Sequence, residues 1–210
     1  NSISKNIMWI VKIGGSWINN PNLSNLIKNL QRLSNKDNII IVSGGGVFSD
    51  SVRLVYESKR MSEKTGNYIA LKATELFSHL LKEIDKNICL VDDIESLGFS
   101  NKMLKIWLPS MILKNDSNFI KNWESTSDSV AAWLHSKINS SGLLYVKSLT
   151  FEKKKYKLKY LQDNGVLDKN VDKYLIKSSN IKIIGQEIIN LIGASDTFRE
   201  LFLELNEVKL

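Results

Sequence analysis

Three short segments carry residue types that could handle phosphate. They are Lys12-Ile13-Gly14-Gly15-Ser16, Ser43-Gly44-Gly45-Gly46 and Val146-Lys147-Ser148. Each follows an apolar run that reads as a strand. Glycines at a strand-to-helix turn let backbone N–H groups approach an anion closely. A helix start beyond the turn adds its positive dipole end. Lys12 and Lys147 would bring full positive charges to the same strand edges. Asp128, within Thr126-Ser127-Asp128-Ser129, supplies a carboxylate at a helix start. Pairing with the helix dipole is its modest role, worth about 0.3–1 kcal/mol. Its larger role would be to orient the lysines and a metal-nucleotide. Either glycine turn alone could be a tight turn without ligand. Two of them with a lysine on each side supply the parts that hold a chain of phosphates. The chain has no G-x-x-x-x-G-K-[ST] and no G-x-G-x-x-G, so neither a P-loop enzyme, a dinucleotide fold nor a protein kinase is signalled.

The elements that must position these residues are legible as alternating patterns. Met8 to Ile13 reads as a strand. Pro21 is expected to open a helix with Leu23, Leu26, Ile27, Leu30 and Leu33 on one face. Ile39-Ile40-Ile41-Val42 is apolar throughout, as in a parallel strand covered on both faces. Helical patterns run from about Phe48 to Arg60 and from about Lys64 to Ile84. Further strands are expected at Ile88 to Val91, Lys105 to Leu108, Leu143 to Val146 and Ile181 to Ile184. Ser127 reads as the N-cap of a helix reaching Ile138, and a last helix is expected near Glu187 to Ile192. The alternation predicts an α/β layered fold around a mainly parallel sheet, with ligands beyond the carboxyl ends of its strands.

Composition narrows the function classes. The chain has 210 residues, 43% hydrophobic and 24% charged, which suits one globular domain. No apolar run approaches the ~20 residues a membrane span needs. The single cysteine, Cys89, sits in an apolar run and reads as a buried structural thiol; a reducing cytoplasm fits. One cysteine and two distant histidines, His79 and His135, leave no zinc-like ligand set, and no metal-ligating residues are expected. The net charge of +7 is concentrated in Lys153-Lys154-Lys155-Tyr156-Lys157-Leu158-Lys159. With no nucleic-acid motif around it, a solvated basic face is the expectation, not a nucleic-acid or membrane partner. Trp107, Trp123 and Trp133 read as core residues by default. The native chain is expected to start at Met8, residues 1–7 being a leftover of expression or a short extension, with residues 8–210 one domain.

The order of these motifs resembles the amino acid kinase superfamily, which includes carbamate, acetylglutamate, aspartate and uridylate kinases. Within it the chain is similar to a small branch tied to methanofuran biosynthesis, that of the [5-(aminomethyl)furan-3-yl]methyl phosphate kinases and their relatives in methylotrophs. Three segments carry this: Gly44 to Arg53, Trp123 to Leu134, and Asn164-Gly165-Val166-Leu167-Asp168. The resemblance implies a three-layer αβα sandwich and a cytoplasmic homo-oligomer using ATP and Mg2+ on a small-molecule phosphate acceptor. Lys12 and Lys147 would grip the transferred phosphoryl, and Asp128 would hold the lysines. Gly14, Gly15, Gly44 and Gly45 would line the phosphate path by backbone N–H, beside Ser16, with Gly46 serving close packing. Asp50, Arg53 and Asn67 would lie on the acceptor side. The segment from Lys147 to about Tyr174 would form the nucleotide side, with Ser148, Asp168 and Asp172. Asn67 stands in a helix start where relatives often carry a histidine. The alternatives are a UMP or small-carboxylate acceptor, or a module that binds nucleotide without turnover.

Overall fold

The computed structural model describes residues 7–99 and 102–210. Most of the expected extension at residues 1–7 therefore lies outside the described residues. The elements run β1 (Met8–Ile13), α1 (Leu23–Ser34), β2 (Asn38–Ser43), α2 (Val47–Lys59), α3 (Glu63–Ile84), β3 (Cys89–Val91), β4 (Lys105–Trp107), α4 (Ser110–Asn115), α5 (Ser127–Ile138) and β5 (Gly142–Val146). The rest are β6 (Lys155–Lys157), α6 (Leu158–Asp163), β7 (Ile181–Ile184), α7 (Ile188–Ile192), α8 (Phe198–Glu204) and β8 (Asn206–Lys209). They build one eight-stranded sheet in the order β3-β4-β2-β1-β5-β7-β8-β6. Every pairing is parallel except β7 with β8.

Helices cover both faces, and strand pleat divides the core between them. Trp9, Val11, Ile13, Ile39, Ile41, Leu144 and Val146 face one layer, which holds α1, α7 and α8. Ile10, Ile40, Val42, Leu143, Tyr145 and Ile183 face the other, which holds α5 and α6. This is the α/β layered fold that the alternation predicted, in the three-layer αβα form that the resemblance implied. The apolar stripe of α1 is buried at all five expected positions. The helix itself begins at Leu23, because Pro21 sits in the turn before it.

Several local expectations are corrected. Thr126, not Ser127, is the N-cap of α5, and it makes no cap with its own side chain. Cys89 is half-buried. Trp107 and Trp133 stack in the core, centroids 5.6 Å apart at 7°, whereas Trp123 stands on the wall of a cleft. The basic run contains the edge strand β6, and Lys155 and Lys157 are exposed on it. Lysines on an open strand edge discourage pairing with another chain. Lys155 and Lys159 also meet Glu207 and Asp163 at 3.4 and 2.8 Å.

Candidate active site

Strand order brings the three phosphate-type segments together. β1 lies between β2 and β5, with Ile13 in register with Ser43 and Val146. Gly14, Gly44 and Lys147 therefore emerge side by side at the carboxyl edge of the sheet. The N-terminus of α5 points at the same edge and delivers Asp128. The three ionic side chains meet there: Lys12 Nζ is 2.7 Å from Asp128 Oδ1, and Lys147 Nζ lies 2.8 and 2.7 Å from its Oδ1 and Oδ2. Lys12 and Asp128 are 3% and 4% exposed, whereas the Lys147 side chain keeps 14% of its surface open. The Tyr145 hydroxyl donates to the Asp128 backbone carbonyl at 3.0 Å and fixes the start of α5 from the sheet side.

Charge in this cluster is unequal. Burial pushes the Asp128 carboxyl up, but the Lys12 and Lys147 ammonium groups outweigh it and bring it to about 2. Burial brings the Lys147 ammonium down; Asp128 opposes this and Lys12 adds to it, leaving it at about 8. Two ammonium groups directly flank one carboxylate, an arrangement that aims cations at a phosphoryl group carrying several negative oxygens.

The glycine loops do two jobs. The Gly14 N–H donates to Val146 O at 2.9 Å and the Gly44 N–H to Ile13 O at 2.8 Å. These two groups are committed to the backbone, which corrects the expectation that they face phosphate. The N–H groups of Gly15, Ser16, Gly45, Gly46 and Val47 have no acceptor among the described residues, and all five residues line one cleft. The loops also touch backbone to backbone. A Cβ on Gly15 would lie 2.1 Å from Gly46 N, and one on Gly44 would lie 2.3 Å from Gly15 N. Gly46 has φ +52°, a conformation that favours glycine, and opens α2. Gly15→Ala is expected to destabilise the fold by about 3 kcal/mol or more, since backbone must move. Gly193→Ala, where a Cβ meets nothing within 4 Å, should change little. Equilibrium urea unfolding of both variants compares them.

The cleft holds about 590 Å³. Its floor is the two glycine loops, and its rim is α2 with Asp50, Arg53 and Ser49. Neither Asp50 nor Arg53 forms an ion pair among the described residues, and the Arg53 guanidinium lies 5.7 Å from the Trp123 ring. Tyr56 packs edge-on against the same indole at 4.8 Å. Trp123, Ser125, Thr126 and Ser127 close the far wall. Asn67 also lines the cleft, with its amide nitrogen committed to Asn122 O and Ser125 O, both at 3.0 Å. Its carbonyl oxygen accepts no hydrogen bond among the described residues.

The other expected residues separate. Ser16 Oγ donates to Ser148 Oγ at 2.7 Å, joining the first and third segments. The Asp168 carboxylate is taken up within the chain: Thr126 and Ser129 occupy it with four hydrogen bonds. Asp172 is exposed and accepts from Gln162 at 3.1 Å, bracing its own segment. Missed from the sequence were Ser49, Trp123 as a cleft wall, and the Asn122, Asn170 and Gln162 braces. Only Trp123 had a signal, as an aromatic just ahead of the Asp128 motif.

Comparison with known proteins agrees with this fold. Residues 8–149 match the model of the amino acid kinase family. Over 130 residues the chain is 32% identical to the [5-(aminomethyl)furan-3-yl]methyl phosphate kinase of Methanocaldococcus jannaschii, covering 60% of this chain and 59% of that protein. The chain thus spans less than two thirds of that relative. Uridylate kinase from Archaeoglobus fulgidus superposes with a TM-score of 0.68 at 15% identity, over 95% of this chain and 99% of that one. UMP kinase from Ureaplasma parvum gives 0.66 at 12%, over 97% and 99%. Aspartate kinase from Synechocystis gives 0.62 at 10%, over 85% of this chain and 37% of that one. At such identities the three structures speak for the fold alone.

Proposed function

The chain belongs to the amino acid kinase family, and from that premise we propose that it moves the γ-phosphoryl group of ATP to a small phosphate monoester, giving a diphosphate. The acceptor we assign is [5-(aminomethyl)furan-3-yl]methyl phosphate, on the strength of the 32% identity to the M. jannaschii kinase. The observation that carries the reading is the meeting of Lys12, Asp128 and Lys147 beside a cleft edged by five free backbone N–H groups. Arg53 and those N–H groups suit the acceptor phosphate, and Asp50 suits an amine at its other end.

In the transfer, an acceptor phosphate oxygen attacks the γ-phosphorus. The bond from that phosphorus to the β,γ-bridging oxygen breaks, and ADP leaves with the electron pair. The attacking oxygen is already ionised at neutral pH, so no general base is needed. Two anionic groups must approach, and the two ammonium groups offset their repulsion. Asp128 keeps both cations aimed at one point. Among the described residues there is no group of three or more His, Cys, Asp or Glu that could hold a metal. Asp128 is moreover saturated by lysines. The residues therefore fit a Mg2+ that arrives on the nucleotide's own phosphates, where it would neutralise charge on the oxygens it binds. No helix among the described residues is long and apolar enough to cross a membrane. Self-association is part of the same proposal, and exposed Leu54, Val55, Leu76 and Leu80 on α2 and α3 support it.

The test is product formation from ATP with the furan phosphate, UMP and small carboxylates offered in parallel. Diphosphate made fastest from the furan phosphate supports the assignment. Preference for UMP or a carboxylate moves the acceptor, and tight ATP binding with no transfer to any of them replaces the kinase reading with a binding module.

A pH prediction follows from Lys147. It is cationic below about 8 and neutral above, so kcat/KM for ATP is expected to fall as pH rises through about 8. Stability should move the other way. Between 8 and the ordinary 10.5 the unfolded chain holds a proton the folded one has lost, so this lysine's contribution to stability grows across that window. Activity lost without loss of melting temperature separates titration from alkaline unfolding.

A further inference from the structure

Asp128 can sit between two ammonium groups only if the first turn of α5 is held still. Thr126 does not cap that turn with its own side chain. The cap comes from 42 residues further along the chain. Asp168 accepts from Thr126 N at 2.8 Å, Thr126 Oγ1 at 2.7 Å, Ser129 N at 3.0 Å and Ser129 Oγ at 3.1 Å. These donors flank Asp128 on both sides in sequence. Two residues on, Asn170 donates to Asn122 Oδ1 at 3.1 Å and Ser125 Oγ at 2.9 Å, and its N–H reaches Glu124 O at 3.3 Å. Gln162 ties the segment to α6 through Asp168 O, Lys169 O and the Asp172 carboxylate at 3.2, 2.8 and 3.1 Å. From the other side, Asn67 of α3 holds Asn122 O and Ser125 O. The cleft wall at 122–126 is thus gripped from two directions.

A helix cap alone does not call for this arrangement. A local Ser, Thr or Asp at the N-cap satisfies the same N–H groups for about 1 kcal/mol. Asp168 instead places a second carboxylate close to Asp128. Burial and the Asp128 charge both push its carboxyl up, against the pull of its Thr126 and Ser129 donors. What the distant cap adds is a physical link between the 162–172 segment, the turn bearing Asp128 and the acceptor-side wall.

We propose that Asp168 is a positioning residue for phosphoryl transfer, one that fixes Asp128 through the first turn of α5 and, with Asn170, makes the 162–172 segment and the 122–126 wall move as one body. Its kinetic consequence rests on the kinase reading above, and its structural consequence does not.

Asp168→Asn tests both. The groups facing Lys147 are Asp128 from α5, Lys12 from β1 and Asp168. Losing the Asp168 charge should move the alkaline limb of kcat/KM to lower pH. We expect kcat to fall about tenfold, with both KM values held within about threefold. Asp168→Glu should return the limb towards its wild-type position without restoring kcat. Amide hydrogen exchange should quicken over residues 122–130 and stay unchanged in β1, β2 and β5. Unchanged kcat and limb in folded Asp168→Asn, or a lowered melting temperature alone, would reduce Asp168 to an ordinary cap and overturn the proposal. If Asp168→Asn does not fold, Thr126→Val, which removes one of the four hydrogen bonds, carries the kinetic arm, and unaltered kcat there overturns it. If wild type transfers nothing, the kinase reading fails, and the exchange arm decides alone: unchanged exchange over 122–130 removes the link.

Discussion

Lys12→Ala is expected to lower kcat by ~10²–10³, the loss that follows removal of one preorganised stabiliser of transition-state charge. KM for ATP should change far less, because Lys147 still binds phosphate in the ground state. The fold should survive. Asp128 keeps two hydrogen bonds from Lys147, at 2.8 and 2.7 Å, so no buried charge is left alone. That separates this variant from a common failure, in which a broken buried pair unfolds the protein. Lys12→Met is the companion: it keeps most of the side-chain volume in the buried β1 position and removes only the charge. Both should be equally slow if charge is what matters. Saturating steady-state kinetics with the proposed acceptor gives the comparison. Turnover within about threefold of wild type in Lys12→Met would remove Lys12 from the transfer step.

Much of this site was legible because the central strands are apolar without interruption. Ile39 to Val42 and Leu143 to Val146 read as short strands covered on both faces, and they are that. Once β2, β1 and β5 are neighbours, Gly14, Gly44 and Lys147 have nowhere to go but one edge. The individual glycine roles were not legible. Whether an N–H binds a ligand or its neighbouring strand depends on register, and only register shows that Gly14 and Gly44 are spent on Val146 and Ile13. The distal edge of the sheet was hidden for a different reason. β6 is Lys-Tyr-Lys, a polar edge strand without a buried run, and β8 is Asn-Glu-Val-Lys. Short edge strands need not alternate cleanly. The partners of Asp168 were not legible, because a carboxylate after Gly-Val-Leu looks the same whether it points to a ligand or to a helix start elsewhere in the chain. Asn67 shows the same limit: its partners, Asn122 and Ser125, are fixed by the packing of α3 and not by any local pattern.

Asp128→Asn should also slow transfer by ~10²–10³, by a route that leaves a different signature. The variant keeps the shape of the side chain and removes the one anion between two cations. Lys12 and Lys147 then repel each other in a site already short of water, so each ammonium drifts from the shared point. ATP should bind no more weakly, because its phosphates meet the same two cations without a competing carboxylate. The expected result is a fall confined to kcat, with KM for ATP equal to or below wild type. Stability provides the second half of the signature. Breaking a buried ion pair costs roughly 3–5 kcal/mol, and Asn still accepts one hydrogen bond, so a loss near about 3 kcal/mol is expected in urea. The acid side of the stability curve should change as well. In wild type the Asp128 carboxyl is held at about 2 against an ordinary 3.8. Its contribution is present above the ordinary value and fades as pH drops towards 2. Asp128→Asn has no such carboxyl, so the gap between the two proteins should close across that interval and stay constant above it. A variant that binds ATP poorly yet turns over normally when saturated would make Asp128 a ground-state ligand, and the lysines would then need another organiser.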